Sequence, residues 1–232
     1  MNSRPFLLSP DSFSILAGMG TDPTLSVTIA GVTFRNPVWV ASGTFGYGLE
    51  FIDLIDVRRL GAIVVKGLAP QPMKGNPEPR LYETPAGMLN SVGLQNVGVD
   101  AFIEEKLPGL RTLGTSVIAN VYGYCVEDYA RVAARLNDCD GITALELNIS
   151  CPNTARGGVE FAADPEATRG IVLEIKRVAT HLPLIVKLSP NVGDIAASAR
   201  AAEAGAPTRC RWSTPSWAWP STWSGGGRSS AK

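Results

Sequence analysis

Ala144-Leu-Glu-Leu-Asn-Ile-Ser-Cys-Pro-Asn153 joins a short apolar run to a polar loop, and its first five residues decide how the fold is read. A run this short, ended by a polar residue, suits a parallel strand covered on both faces. The same pattern recurs along the chain. Val38-Trp-Val-Ala41 closes on Ser42-Gly43, and Ala62-Ile-Val-Val-Lys66, Ser116-Val-Ile-Ala-Asn120 and Leu184-Ile-Val-Lys-Leu188 follow. Helical patterns lie between these runs at 51–59, 99–107, 127–136, 165–180 and 195–204. Upstream, Leu25-Ser-Val-Thr-Ile-Ala-Gly-Val-Thr-Phe34 predicts two short strands about the turn at Ala30-Gly31.

Strands alternating with helices give an α/β fold, doubly wound or barrel. The polar residues favour the barrel. Ser42, Lys66, Asn120, Asn148 and Lys187 all fall at or near the carboxyl ends of successive strands, the rim that carries the active site of a TIM (β/α)8 barrel. Ser42-Gly-Thr-Phe-Gly-Tyr-Gly48 is glycine-rich but lacks the spacing of a dinucleotide-binding turn.

Composition narrows the function. Lys+Arg and Asp+Glu both number 21 in 232 residues, so no basic field is available for nucleic acid. No apolar run is long enough for a membrane span, and Met1 to Thr21 lacks the layout of a signal peptide. Cys125, Cys139, Cys151 and Cys210 lie far apart with no C-x-x-C pair. They read as free thiols in a reducing compartment, not as a disulfide or zinc framework, which predicts a cytoplasmic protein without a metal site.

Three segments carry candidate chemistry, and each has an ordinary explanation when taken alone. Cys151 sits between two asparagines in a loop after a strand; it is either a buried inert thiol or, as thiolate, a base or nucleophile. Asn90-Ser-Val-Gly-Leu-Gln-Asn96 is rich in amides that match the edges of a planar heterocycle, or else serve only turn hydrogen bonds. Lys66 and Lys187 are cations at equivalent strand ends, where an anionic ligand would explain them and solvent would explain either one singly. The one histidine, His181, precedes Pro183 at a helix-to-strand connection and reads as structural or surface.

In combination these segments resemble class 1 dihydroorotate dehydrogenases from about Leu25 to Ala206. Asn148-Ile-Ser-Cys-Pro-Asn153 is similar to the N-[LI]-S-C-P-N signature of that family, and Asn90 to Asn96 is similar to its substrate loop. Membrane-bound class 2 members carry serine where this chain has Cys151. Gly157-Gly-Val-Glu-Phe161 and Asp164-Pro165 look more like the NAD-linked class 1B than the fumarate-linked branch.

The resemblance implies an FMN enzyme of pyrimidine biosynthesis that oxidises dihydroorotate to orotate. Cys151 would be the base. Lys66, Asn90, Ser91, Val92, Gly93, Leu94 and Asn148 would bind the substrate. Ser42, Lys66, Asn120, Asn148 and Lys187 would hold the flavin. It further implies a partner subunit carrying FAD and an iron–sulfur cluster, in a homodimer or heterotetramer. The pyrimidine-reducing domain of dihydropyrimidine dehydrogenases, with its similar loop cysteine, is a competing reading, and an inactive fragment is another.

Three regions are expected: a leader at 1–24, a partial FMN-binding α/β barrel at 25–206 with about five of eight strands behind a short hairpin, and an aberrant, unstructured tail at 207–232. From Pro207 to Trp223, four of the five tryptophans sit among Pro, Ser and Thr without helical or strand period. Reading those codons from their third bases permits D-A-V-S-L-V-N-T-F-V-G-M-A-V-D-V. That is an apolar strand followed by an N-T pair like the family's, so a shifted reading frame after about residue 206 is expected. A chain with so much of the barrel replaced should bind FMN weakly and aggregate through its open edge.

Overall fold

The structure, a computed structural model, describes residues 25–150, 152–153, 159–190, 192–206 and 213–215. The leader, Cys151, the Gly157-Gly158 pair and most of 207–232 therefore lie outside the described residues.

The polypeptide enters through an antiparallel hairpin, β1 (Val27–Ile29) and β2 (Val32–Phe34), in register Val27↔Phe34. Its turn residues Ala30 and Gly31 take positive φ, 51° and 81°. The parallel strands follow: β3 (Trp39–Val40), then β4 (Ala62–Val64). A second hairpin comes next, β5 (Leu81–Thr84) and β6 (Gly87–Asn90), in register Leu81↔Asn90. Helix α1 is continuous from Val99 through a π-helical turn at Phe102–Lys106 to Leu107–Arg111. Then come β7 (Ser116–Val121), α2 (Val126–Asn137) and β8 (Ala144–Asn148). A backbone pair, β9 (Pro152–Asn153) with β10 (Val159–Glu160), precedes α3 (Pro165–Val178), β11 (Leu184–Leu188), α4 (Ile195–Gly205) and β12 (Ser213–Pro215).

The main sheet has six strands in the order β12-β11-β8-β7-β4-β3, and every pairing in it is parallel. Spatial order follows chain order without a reversal. A doubly wound sheet would reverse once and carry helices on both faces, so the arrangement is that of an unclosed (β/α)8 barrel.

The two faces differ in their cover. Val117, Ala119, Val121, Leu145, Leu147, Val186 and Leu188 pack under the helices in the larger core. Helix α2 buries Tyr129, Val132, Ala133 and Leu136, and α3 buries Thr168, Ile171, Val172 and Ile175, both at the i, i+3, i+4, i+7 spacing of one helical face. Helix α3 is started by Asp164, whose carboxylate accepts from the Glu166 and Ala167 amides at 2.9 and 3.2 Å, with Pro165 in the first turn. On the concave face, Ala62, Val64, Ile118, Ala144 and Ile185 form a separate core with Phe34. The β1–β2 hairpin seals it through Val27, Ile29 and Val32, and Trp39 stacks obliquely on Phe34 at 4.4 Å.

All five expected strands are present, with β8 and β11 at the expected bounds. The structure departs from the expectations at two places. Residues 51–59 hold only 3-10 turns, Leu49–Phe51 and Val57–Arg59; Ile52 and Leu54 point to solvent, and the Asp56 carboxylate takes the Arg58 amide, starting a new turn. The β5–β6 hairpin was not anticipated. Beyond the five expected strands, the Ser213–Pro215 backbone pairs with β11, Val186↔Ser213, along the edge of the sheet. The outer edge of β11 carries backbone N–H and C=O groups that any extended segment can satisfy, whatever its side chains.

Candidate active site

The period-2 geometry of strands explains why the site assembles. On β8, Ala144, Glu146 and Asn148 share the concave face; on β7, Ser116, Ile118 and Asn120 do. The register aligns them: Ile118↔Ala144, Asn120↔Glu146 and Asn148↔Lys187. Toward the carboxyl ends the apolar floor therefore gives way to a polar rim of Asn120, Glu146, Asn148 and Lys187, with Lys66 following β4.

Each expected flavin contact has a definite place. Ser42 is buried just after β3. Lys66 is half-buried, and its backbone amide donates to Gly46 O at 2.7 Å. Desolvation, then the neighbouring Arg80, hold its ammonium below the ordinary lysine value of 10.5, with Glu50 opposing. Asn120 is 1% exposed, and its Nδ2 donates to Glu146 Oε1 at 2.6 Å. Asn148 is held twice: its carbonyl accepts from the Tyr129 hydroxyl at 2.7 Å and its Oδ1 from the Ser150 amide at 3.3 Å. Lys187 is half-buried beside Asn148. At Gly67 a Cβ would meet Tyr122 Cδ1 at 2.9 Å and Asn120 Oδ1 at 3.0 Å, so the backbone after Lys66 closes directly onto the rim.

The segment proposed for substrate folds as a braced loop. Asn90 Oδ1 accepts from the Val92 amide at 2.9 Å. The Asn76 amide group donates to Ser91 O and Oγ, and the Asn76 backbone N–H donates to Val92 O at 3.0 Å. Gly93 has φ 75°, and a Cβ there would meet Asn76 within 2.8 Å, so only glycine fits. Leu94 also has positive φ, 56°. Its carbonyl accepts from Asn96 Nδ2 at 2.9 Å and from the Tyr122 hydroxyl at 3.0 Å. Tyr122 directly follows β7, so this contact ties the loop to the strand that supplies Asn120. Arg80 donates to Gln95 Oε1 at 2.9 Å and lies near enough to act on Lys66.

Glu146, Tyr122 and Arg80 were not among the expected residues. Glu146 carried a readable signal, since it stands two positions before Asn148 and so shares its face. Tyr122 and Arg80 carried none, because their roles depend on the unforeseen hairpin. Cys151, the expected base, lies outside the described residues. His181 is on the surface, 3.0 Å from Asp138 Oδ1. Among the described residues no cluster of His, Cys, Asp or Glu could hold a metal ion, and no helix is long and apolar enough to cross a membrane.

The chain is similar to known proteins in sequence and in fold. The family described as dihydroorotate dehydrogenase matches residues 24–210. A Solibacter usitatus protein whose name places it with dihydroorotate dehydrogenase A (fumarate) is 58% identical over 181 residues, 78% of this chain and 59% of that protein. The catalytic subunits of dihydroorotate dehydrogenase B (NAD(+)) from Citrifermentans bemidjiense and Geobacter sulfurreducens are 54% identical over 185 residues and 55% over 173. These cover 79% and 75% of this chain, and 60% and 56% of those proteins. A crystal structure of DHODH from Eimeria tenella in complex with ferulenol superposes with TM-score 0.65 over 84% of this chain and 63% of that one; at 22% identity it speaks to the fold. The chain spans about 60% of the length of the curated relatives it matches. With a family match across residues 24–210, on a parallel sheet that superposes on a member's fold, the chain belongs to the dihydroorotate dehydrogenase family.

Proposed function

We propose that this chain carries the substrate and flavin-ring half of an FMN-dependent enzyme that oxidises dihydroorotate to orotate. The observation that carries the reading is the polar rim, with two lysines and two asparagines over an apolar floor and the 90–96 loop tied across it by Tyr122.

The donor set suits the ring of FMN. Asn120, Asn148 and Ser42 are hydrogen-bonding groups for its carbonyl and imide edges, and Lys187 is a cation for the pyrimidine side, where charge gathers on reduction. When bound, FMN supplies the hydride acceptor. The remaining work falls to the chain. Lys66, partly desolvated and beside Arg80, binds the substrate carboxylate, which adds to the Glu50 charge against the repulsion of Arg80. Asn90, Ser91, Val92, Gly93 and Leu94, with Asn148, orient the pyrimidine edges. Cys151 would serve as the base for the C5 proton; this role rests on the resemblance of Asn148-Ile-Ser-Cys-Pro-Asn153.

We place the chain with the NAD-linked branch on Gly157-Gly158 and Asp164-Pro165, which implies a partner subunit carrying FAD and an iron–sulfur cluster. The reading frame changes near residue 206, a position supported by the family match ending at 210. DNA showing one uninterrupted frame across codon 206 would remove that proposal. The function is tested in a frame-restored protein: Cys151→Ala should lower dihydroorotate oxidation at least 100-fold, on the scale of a lost general base, while FMN stays bound. Unchanged oxidation would discard Cys151 as the base, and turnover of dihydrouracil in preference to dihydroorotate would discard the substrate.

A further inference from the structure

Glu146 is the one carboxylate on the rim strands, and the flavin reading gives it no task. It is 8% exposed, in the middle of the central strand β8. A carboxylate this buried is costly unless charge and hydrogen bonds offset its desolvation. Both are present: Asn120 Nδ2 donates to Oε1 at 2.6 Å from β7, and the Lys187 ammonium acts on it from β11. Burial pushes its carboxyl above the usual range, while Lys187 and the Asn120 hydrogen bond pull it back.

The geometry points to Glu146 as a positioning residue that sets how two neighbouring strands present their polar groups. By accepting from the Asn120 amide nitrogen, it leaves Asn120 Oδ1 turned toward the Lys66-Gly67 backbone; that oxygen lies 3.0 Å from where a Gly67 Cβ would stand. Asn120 is thereby fixed as an acceptor toward the rim. The register sets Lys187 opposite Asn148 and so diagonal to Glu146 on the same face, where the carboxylate attracts its ammonium toward the rim. Lys66, at the other side of the rim, answers instead to Arg80 and Glu50. What Asn120 and Lys187 are positioned toward rests on the flavin reading; that Glu146 positions them does not.

The test uses the full 232-residue chain without flavin. Trace amine labelling with acetic anhydride at one fixed alkaline pH is followed peptide by peptide by mass spectrometry, in parent, Glu146→Gln and Glu146→Asp. Gln keeps an acceptor for Asn120 but removes the charge. Lys187 should label several-fold faster in Glu146→Gln, where the carboxylate no longer attracts its amine, with Lys66 unmoved. Glu146→Asp, which keeps the charge, should stay near the parent. A Lys187 rate within twofold of parent in a folded Glu146→Gln chain overturns the proposal. Should Glu146→Gln not fold, a several-fold change of the Lys187 rate in Glu146→Asp overturns it, and a parental one supports it. FMN is then titrated separately by fluorescence quenching. Failure of every form to quench counts against the flavin reading and leaves the labelling result for Glu146 standing.

Discussion

The floor and the rim of the concave face are built by the same strands, two residues apart, and have opposite chemistry. Ile118 and Ala144 are register partners in the floor, and one step along the same face Asn120 and Glu146 are partners in the rim. Below, side chains are dry and sealed by the hairpin through Val27, Ile29, Val32 and Phe34. Above, buried polar groups are held by specific hydrogen bonds. The difference teaches that one strand can divide its work by depth, the floor for stability and the rim for recognition.

The largest effect should come from opening the floor. Phe34 is 1% exposed and packs on Trp39, so Phe34→Ala should cost about 4 kcal/mol in urea denaturation; a loss below about 1 kcal/mol would mean the hairpin is not a true seal. The rim should respond differently. Tyr122→Phe removes the hydroxyl that meets Leu94 O, Asn96 Nδ2 and Met73 Sδ. We expect a stability loss of about 1 kcal/mol, with faster hydrogen exchange concentrated in 90–96; exchange rising evenly along the chain would deny the local tether. Smaller still is the loss of the Asn148 carbonyl's partner. Tyr129→Phe should cost at most about 1 kcal/mol, read as a shift in the urea midpoint, and an effect as large as that of Phe34→Ala would blur the division.

The smallest effect should have the opposite sign. The folded-state ammonium of Lys66 is held below 10.5, so the folded state loses its proton before the unfolded state does. The unfolded state then binds more protons in the window just below 10.5, and this residue's contribution to stability rises with pH there. At neutral pH the charged lysine is a liability. Lys66→Met should therefore melt slightly higher than the parent at pH 7, with the advantage shrinking by pH 10. A lower melting temperature at pH 7 would show that the ammonium is stabilised where it stands.

Much of this division could be read from the chain, for a physical reason. Strands covered on both faces must be apolar almost throughout, so β8 and β11 declare their limits where polarity returns, at Asn148 and after Leu188. The same reasoning hid Glu146. Inside an apolar run a single charge looks like noise, and only its two-residue offset from Asn148 marks it as part of the rim. The Leu81–Thr84 and Gly87–Asn90 hairpin was harder, because Leu81, Tyr82, Met88 and Leu89 are all exposed and no buried face gives the segment a period. Residues 51–59 misled in the other direction: Phe51 and Ile55, at helical spacing, do reach the core, but Ile52 and Leu54 face solvent and the backbone forms only short turns. The pairing of Ser213–Pro215 rests on an open backbone edge, which side-chain pattern does not report.

The sealed floor also sets a schedule for synthesis. Phe34 finishes its packing only against Ile185 among others, a residue that leaves the ribosome 151 positions later (185 − 34). At about 5–20 residues per second the first hairpin waits roughly 8 to 30 s for its cover. Through that interval Val27, Ile29, Val32 and Phe34 are a greasy ribbon whose cover from Ala62, Val64, Ile118 and Ala144 is still incomplete, and the time until it closes is set by translation speed.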